Sequence, residues 1–323
     1  MSAAPEQPGP VLSLVICTFH RERLLGLALA SVNAQAAPAD FPVEIVVVDN
    51  SDECSARPTV DALAVASQFP IRYVEAHPPN ISVARNAGVA AASGAAVAFL
   101  DDDQELADGW LVAVAAALKE LPHDAFFGAV EPLFEAPAEA TAMARQLFSR
   151  RLDAPHGAEL VAFGPQKTRD IALATNNSIF RRASLPADCL FDLAFGNGGG
   201  EDYDLICRMQ REGKRFAWLP DACAREFVPA SRCEAGYLRR RFFAGGQAFA
   251  QAVANASEHP RSTRWSIRAK ALVQLALLAA RTPLALARGQ AALTDHLHVF
   301  AGALGKLSFA EIKPIYRETA PAR

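Results

Sequence analysis

Between residues 11 and 100 the chain repeats one pattern, a short apolar run followed by a stretch whose apolar positions recur at helical spacing. Residues 11–17, 43–48, 71–75 and 95–100 are too short for helices, rich in Val, Ile and Leu, and bounded by polar turns, so they read as strands. The segment carrying Leu24, Leu25, Leu27, Leu29 and Val32, then residues 58–68 and 82–92, read as the intervening helices. Near-continuous apolar strands alternating with helices predict an α/β fold whose parallel sheet is covered on both faces. In such sheets ligands bind beyond the carboxyl ends of the strands.

The pattern then loosens. A helix is expected over residues 110–121, a strand over 125–130, a helix over 138–151 and a mobile loop over 153–169, where Pro, Gly and mixed charge interrupt any period. Residues 171–174 lead into Thr175-Asn176-Asn177-Ser178, a strand follows at 179–182, and a helix runs from Glu201 to Glu212 behind Gly198-Gly199-Gly200. Residues 214–219 and 223–228 read as two short strands. Beyond Cys233 the composition turns helical: a helix over 237–253 broken near Gly245-Gly246, a linker over 255–262, and a Leu/Ala-rich helix over 267–287. The organisation expected is a polar, Pro-rich disordered lead (1–10), an α/β domain (11–232) and a helical C-terminal extension (233–323).

Charge refines that extension. The whole chain carries only −3, which gives no polyelectrolyte argument for nucleic acid, but residues 228–288 hold ten Lys/Arg against two acids, or +8, leaving −11 for the remainder. The uninterrupted apolar piece, 271–280, is too short to span a bilayer. A basic amphipathic helix on an anionic membrane surface fits the pattern, and so does an ordinary helix packed on the domain or in a dimer contact. His296 and His298 read as solvated helix positions, with no third ligand nearby in sequence. The six cysteines form no CxxC pair and read as reduced thiols of a cytosolic chain, and the lead lacks the apolar core of a signal peptide.

Candidate chemistry sits where strands end. Asp101-Asp102-Asp103 follow the fourth strand, and three adjacent carboxylates cannot be desolvated cheaply without a cation or donors. They are hard oxygen ligands suited to Mg²⁺ or Mn²⁺, ions that share their coordination with substrate phosphates. A solvated turn, with Asp103 or Asp108 capping the next helix, is the alternative. Thr18 and Arg21 follow the first strand, Asp49 and Asn50 end the second, and Arg85 and Asn86 lie on the helix entering the fourth. Jointly these resemble a nucleotide site, although no GxxxxGK loop or GxGxxG follows the first strand. Asn176 and Asn177 need partners inside an apolar segment, either a ligand or a loop. Glu201 and Asp202, delivered by a glycine-rich loop to a helix start, read as a general base or as dipole-favoured acids.

The blocks CTFHRERLL (17–25), VVVDNSD (46–52), ARNAG (84–88), FLDDD (99–103), TNNSIFRR (175–182), GGGEDYDL (198–205) and PDACAREFVPASR (220–232) resemble, in this order, the family 2 nucleotide-diphospho-sugar glycosyltransferases. The likeness is greatest to exopolysaccharide glucosyltransferases of the succinoglycan type. It implies a GT-A fold, a Rossmann-like mixed sheet flanked by helices. It also implies a metal-dependent inverting transfer of a hexose, glucose above others, from a UDP-sugar to a lipid-linked or oligosaccharide acceptor. Thr18, Arg21, Asp49 and Arg85 are implied to hold nucleoside and diphosphate, with Asn50, Asn86, Asp102 and Asn177 beside them. Asp101 and Asp103 would fill the DxD motif, gripping ribose and a divalent cation, Mn²⁺ or Mg²⁺. Many relatives carry His where this chain has Glu226, and glutamate also ligates such ions. Asp202 would be the base, with Glu201 contacting the acceptor or orienting that base. A sugar nucleotidyltransferase and a non-catalytic nucleotide-sugar-binding protein are the alternatives. The location implied is cytoplasmic, peripheral on the inner face of the cytoplasmic membrane, with the oligomeric state open.

Overall fold

A computed structural model describes residues 11–169, 171–187 and 190–312; the expected lead 1–10, Cys189 and residues 313–323 of the extension lie outside the described residues. The first half is the alternation read from the pattern: β1 (Leu12–Thr18), α1 (Glu22–Asn33), β2 (Val43–Asp49), α2 (Arg57–Ala64), β3 (Ile71–Glu75), α3 (Ile81–Ala91) and β4 (Ala96–Asp101). There follow β5 (Gln104–Leu106), α4 (Trp110–Glu120), β6 (Ala125–Phe134), α5 (Ala142–Phe148), β7 (Glu159–Leu160), β8 (Ser178–Arg181), α6 (Glu201–Arg211) and β9 (Phe216–Val228). Three helices close the described chain: α7 (Ala235–Asn255), α8 (Pro260–Ala287) and α9 (Gln290–Gly305).

The strands form one mixed sheet in the order β3-β2-β1-β4-β8-β6-β9-β5, with β7 also on β9. β3, β2, β1 and β4 are parallel, whereas β8 runs antiparallel to both β4 and β6. Alternate side chains of the parallel strands feed two cores. Leu14, Ile16, Val47 and Leu100 pack with Leu25 and Trp110 on one face, and Val15, Val48 and Phe99 with Ala84 and Leu205 on the other. Burying both faces is what made these strands read as continuous apolar runs.

Where the sheet departs from that plan, the expectations change. Residues 216–228 are one strand, β9, not two: Gly128 pairs with Leu219 and Val130 with Ala224, so residues 220–223 bulge out where the two expected pieces meet. The helix expected over 138–151 is only α5, which starts where the Thr141 side chain accepts the Ala144 N–H and ends before Arg150 bridges to Val130. The expected mobile loop 153–169 is tied down, with Leu160 and Ala162 buried and β7 paired to β9.

The extension also differs. α7 runs unbroken through Gly245-Gly246, because Gly246 lies so close to Gly302 and Gly305 of α9 that a Cβ would collide with their backbone. α9 is packed against both α7 and α8. His298 is therefore not solvated: it is 1% exposed, stacks on Phe242 with centroids 5.7 Å apart, and lies 3.1 Å from the Ala235 carbonyl. His296 meets Thr282 of α8 at 3.1 Å. α8 is longer than expected, 28 residues, and by length and composition it is apolar enough to cross a membrane. Its Ile267, Ala271 and Ala285 are buried, while Trp265, Leu272, Val273, Leu277 and Leu284 are exposed.

Candidate active site

Strand register brings the candidate residues to one edge of the sheet. Thr18 lies beside Asp49, Cys17 beside Asp101, and Gln104 of β5 opposite Glu226 of β9. The chain leaves β4 through Asp102 and Asp103, both buried, before turning into β5. Neither Asp103 nor Asp108 caps α4, whose N-cap position is Gly109 with no side-chain cap. Instead the Asp102 carboxylate accepts from Thr18 Oγ1 and from Arg21, both at 2.9 Å. Asp103 accepts from Arg21 at 3.0 Å and from Arg232 at 3.3 Å. Glu226 lies 3.9 Å from the same Arg232 nitrogen, and its other oxygen accepts from Gln104 and Asn176 at 3.4 and 3.3 Å.

Three of the carboxylates crowded here, Asp101, Asp102 and Glu226, resist ionisation. Burial, with Asp103 alongside, pushes Asp102 up to about 6, against the pull of Arg21. Burial and the charges of Asp103 and Asp101 push Glu226 up to about 7. Asp101 is raised by burial and by Asp103, with Arg85 opposing. The same neighbours secure the charge of two arginines. Burial disfavours their charge, yet Asp102 and Asp103 hold Arg21 above its ordinary value, and Glu201 and Asp101 do the same for Arg85.

The second acidic centre is delivered by Gly200, which takes the left-handed conformation (φ +103°) that glycine adopts without strain. It starts α6 with three acids in the first turn, favoured there by the helix dipole. They are used differently. Asp204 is consumed by the fold, bonded to Arg208 at 2.8 Å and to Asn255 at 3.3 Å. Glu201, 4% exposed, ion-pairs with Arg85 through one oxygen and buries the other with no partner among the described residues. Burial, together with Asp202 and Asp101, pushes Glu201 up to about 7 despite Arg85. Asp202 is half-buried and accepts the N–H of Tyr203 at 2.7 Å. Arg85 also lies 3.6 Å from Asp101, so a single guanidinium joins the acids behind β4 to those of α6.

Four candidates make their visible contacts within the fold. Asp49 is fully buried and accepts four hydrogen bonds, from Ser51 N and Oγ, Ala56 N and Tyr73 OH, so a base could use it only by displacing one of them. Asn50 donates to the Ala76 and Pro78 carbonyls and accepts from Asn80 N, fixing the chain into α3. Asn86 clasps both backbone groups of Phe191. Asn177 is fully buried; it donates to the Ala129 and Ala222 carbonyls at the β6–β9 bulge and accepts from Trp110. Its amide thus satisfies strand carbonyls that the bulge leaves unpaired, and no donor remains for a ligand.

Other residues at the site were not singled out. Arg232 stood inside a recognised block, but nothing in its spacing foretold contact with Asp103. Arg150 lay in an expected helix; it is 3% exposed and donates to the carbonyls of Gly128, Ala174, Asn176 and Asn177, and its burial lowers it to about 10. Gln104 reaches Glu226 only because β5 meets β9, and Asn176, which was expected to face a ligand or a loop, meets Glu226 from the 175–178 turn. For a divalent cation the fit is chemical: Asp103 and Glu226 already converge on one cationic nitrogen, and every donor is a hard oxygen.

A family model described as glycosyl transferase family 2 matches residues 13–173. The succinoglycan biosynthesis protein ExoM of Rhizobium meliloti (strain 1021) is 30% identical over 257 residues, which are 79% of this chain and 79% of that protein. Among solved structures, the mannosyltransferase PcManGT from Pyrobaculum calidifontis, in complex with GDP-Man and Mn²⁺, superposes with a TM-score of 0.57 at 20% identity, over 92% of this chain and 87% of that one. S. aureus TarS 1-349 in complex with UDP gives 0.52 at 17% identity, over 78% and 68%.

Proposed function

The chain belongs to glycosyltransferase family 2 and has the GT-A fold, and from that premise we propose that it transfers a hexose, in our reading glucose, from a UDP-sugar to a lipid-linked or oligosaccharide acceptor of a bacterial exopolysaccharide or surface glycan. The observation that carries the reading is Arg85, in contact with Asp101 on one side and Glu201 on the other. That shared contact supports reading the two acidic centres as walls of one pocket.

In this reading Asp202 takes the proton of the acceptor hydroxyl as that oxygen attacks the anomeric carbon, inverting it. Glu201, anchored by Arg85, orients the acceptor. The bond to the diphosphate breaks, and Arg85 and Arg21 face the negative charge that accumulates on the leaving group. Thr18 and Asp102 lie where the nucleoside would rest. A divalent cation, Mn²⁺ or Mg²⁺, held by Asp103 and Glu226 with Asp101, would supply further charge neutralisation at the diphosphate. Asp49, Asn50, Asn86 and Asn177 shape the pocket wall without touching the donor.

A screen of nucleotide sugars for UDP or GDP release, with and without Mn²⁺, tests this. UDP release that needs the cation is the expected result. GDP release would move the donor assignment, and release of neither would contradict transfer.

We place the enzyme on the cytoplasmic face of a membrane through α8. Its exposed Trp265, Leu272, Val273, Leu277 and Leu284 form an apolar outer face, and Arg261, Arg264, Lys270 and Arg281 accompany it with no acid between residues 259 and 288. That pairing suits an anionic bilayer. Leu272→Glu with Leu277→Glu, both exposed, should abolish co-sedimentation with anionic vesicles; unchanged sedimentation would contradict the placement.

A further inference from the structure

At the carboxyl ends of β2 and β3, away from the arginine-clamped carboxylates, three kinds of donor crowd together. Cys54, Glu75 and His77 offer a thiol, a carboxylate and an imidazole whose ligand atoms all lie within 4.8 Å of one another. Outside that trio, Asp52 Oδ1 lies 3.3 Å from His77 Nδ1 and pairs with the imidazole.

The backbone holds this arrangement in place. Cys54 has a left-handed conformation (φ +55°), uncommon for a non-glycine residue, inside a turn pinned at both ends by Asp49, which accepts from Ser51 N and Ala56 N. Glu75 stands opposite Asp49 in the β2–β3 register. The side chains of Asp52, Glu75 and His77 are 69, 41 and 39% exposed, so an ion can reach them from solvent. Arg57 engages Glu75 through Oε1, and a metal needs only the other oxygen.

The donor set decides the ion. Sulfur, nitrogen and oxygen ligands together suit Zn²⁺, at distances of about 2.3 Å to sulfur and about 2.0 Å to nitrogen, which side-chain rotations close from the spacing present. Mg²⁺ and Mn²⁺ prefer the all-oxygen set of Asp101, Asp103 and Glu226.

We propose that Cys54, His77 and Glu75 form a second metal site, selective for Zn²⁺, with Asp52 beside the imidazole to orient it. Binding deprotonates the Cys54 thiol and releases that proton to solvent, with no change of oxidation state. The bound ion cross-links the 51–56 turn to the end of β3, and so fixes the wall that Asp49 and Tyr73 share.

The test is Zn²⁺ titration of the full-length, reduced protein against a chromophoric chelator. One tight equivalent is expected, unmoved by excess Mn²⁺ and retained in Glu226→Gln. Cys54→Ser and His77→Ala should each weaken it by more than the roughly 100-fold that loss of a mere supporting partner of a ligand costs. A second readout needs no variant: Zn²⁺ should protect Cys54 from alkylation, followed peptide by peptide. Full affinity in Cys54→Ser, loss of the equivalent in Glu226→Gln, or alkylation of Cys54 at the same rate with and without Zn²⁺ would each overturn the site.

Discussion

The two acidic centres are only one arginine apart, yet they are built in opposite ways. Behind β4, three carboxylates are held by their neighbours: Asp102 through both oxygens by Thr18 and Arg21, Asp103 through Oδ2 by Arg21 and Arg232, and Glu226 by Gln104, Asn176 and Arg232. On α6, Glu201 keeps a buried oxygen without a partner among the described residues, and Asp202 accepts a neighbouring backbone N–H. A group that must grip a charged ligand benefits from rigid placement, whereas a group that must accept a proton needs a lone pair its neighbours have not taken. The difference in construction thus matches the division of labour proposed for them.

The largest expected effect comes from the under-committed side. Asp202→Asn should lower sugar transfer about 10²- to 10⁴-fold, measured as acceptor-dependent diphosphate release, because the base is lost while its surroundings persist. Arg85→Met should come next. It strands Glu201 as a buried acid without its counter-charge, at a cost of about 3–5 kcal/mol read from the denaturant midpoint. Adding Glu201→Gln should recover part of that loss, since two residues in contact are not additive.

The smallest effect belongs to the crowded side and depends on pH. The Glu226 carboxyl is raised from 4.5 to about 7 by burial and by Asp103 and Asp101. Between those values the folded chain holds a proton that the unfolded chain has lost. Stability of the metal-free protein should therefore fall as pH rises through that window. Glu226→Gln should flatten this part of the melting-temperature profile, and an unchanged slope would remove Glu226 as its source.

Legibility in the sequence followed burial. Strands covered on both faces announced themselves, so β1 to β4 and the acids at their ends could be read directly, and the order of blocks named the family. Short pieces could not be read: β5 and β7 have three and two residues, and only pairing with β9 makes them strands. One strand read as two because a bulge interrupts its apolar run, and Gly245-Gly246 looked like a helix break although Gly246 is there for close packing on α9. Arg150 and Arg232 act across the fold, a relation that no local spacing encodes. Asn177 was picked out correctly as a buried amide in need of partners, but those partners proved to be the carbonyls of Ala129 and Ala222.

The most direct measurement of the division between the two centres is a titration of nucleotide-sugar binding, with and without Mn²⁺, for Asp103→Asn beside Asp202→Asn. The account predicts that Asp103→Asn loses the Mn²⁺-dependent part of donor affinity while Asp202→Asn binds as the unaltered protein does. Equal binding defects in the two variants would contradict it.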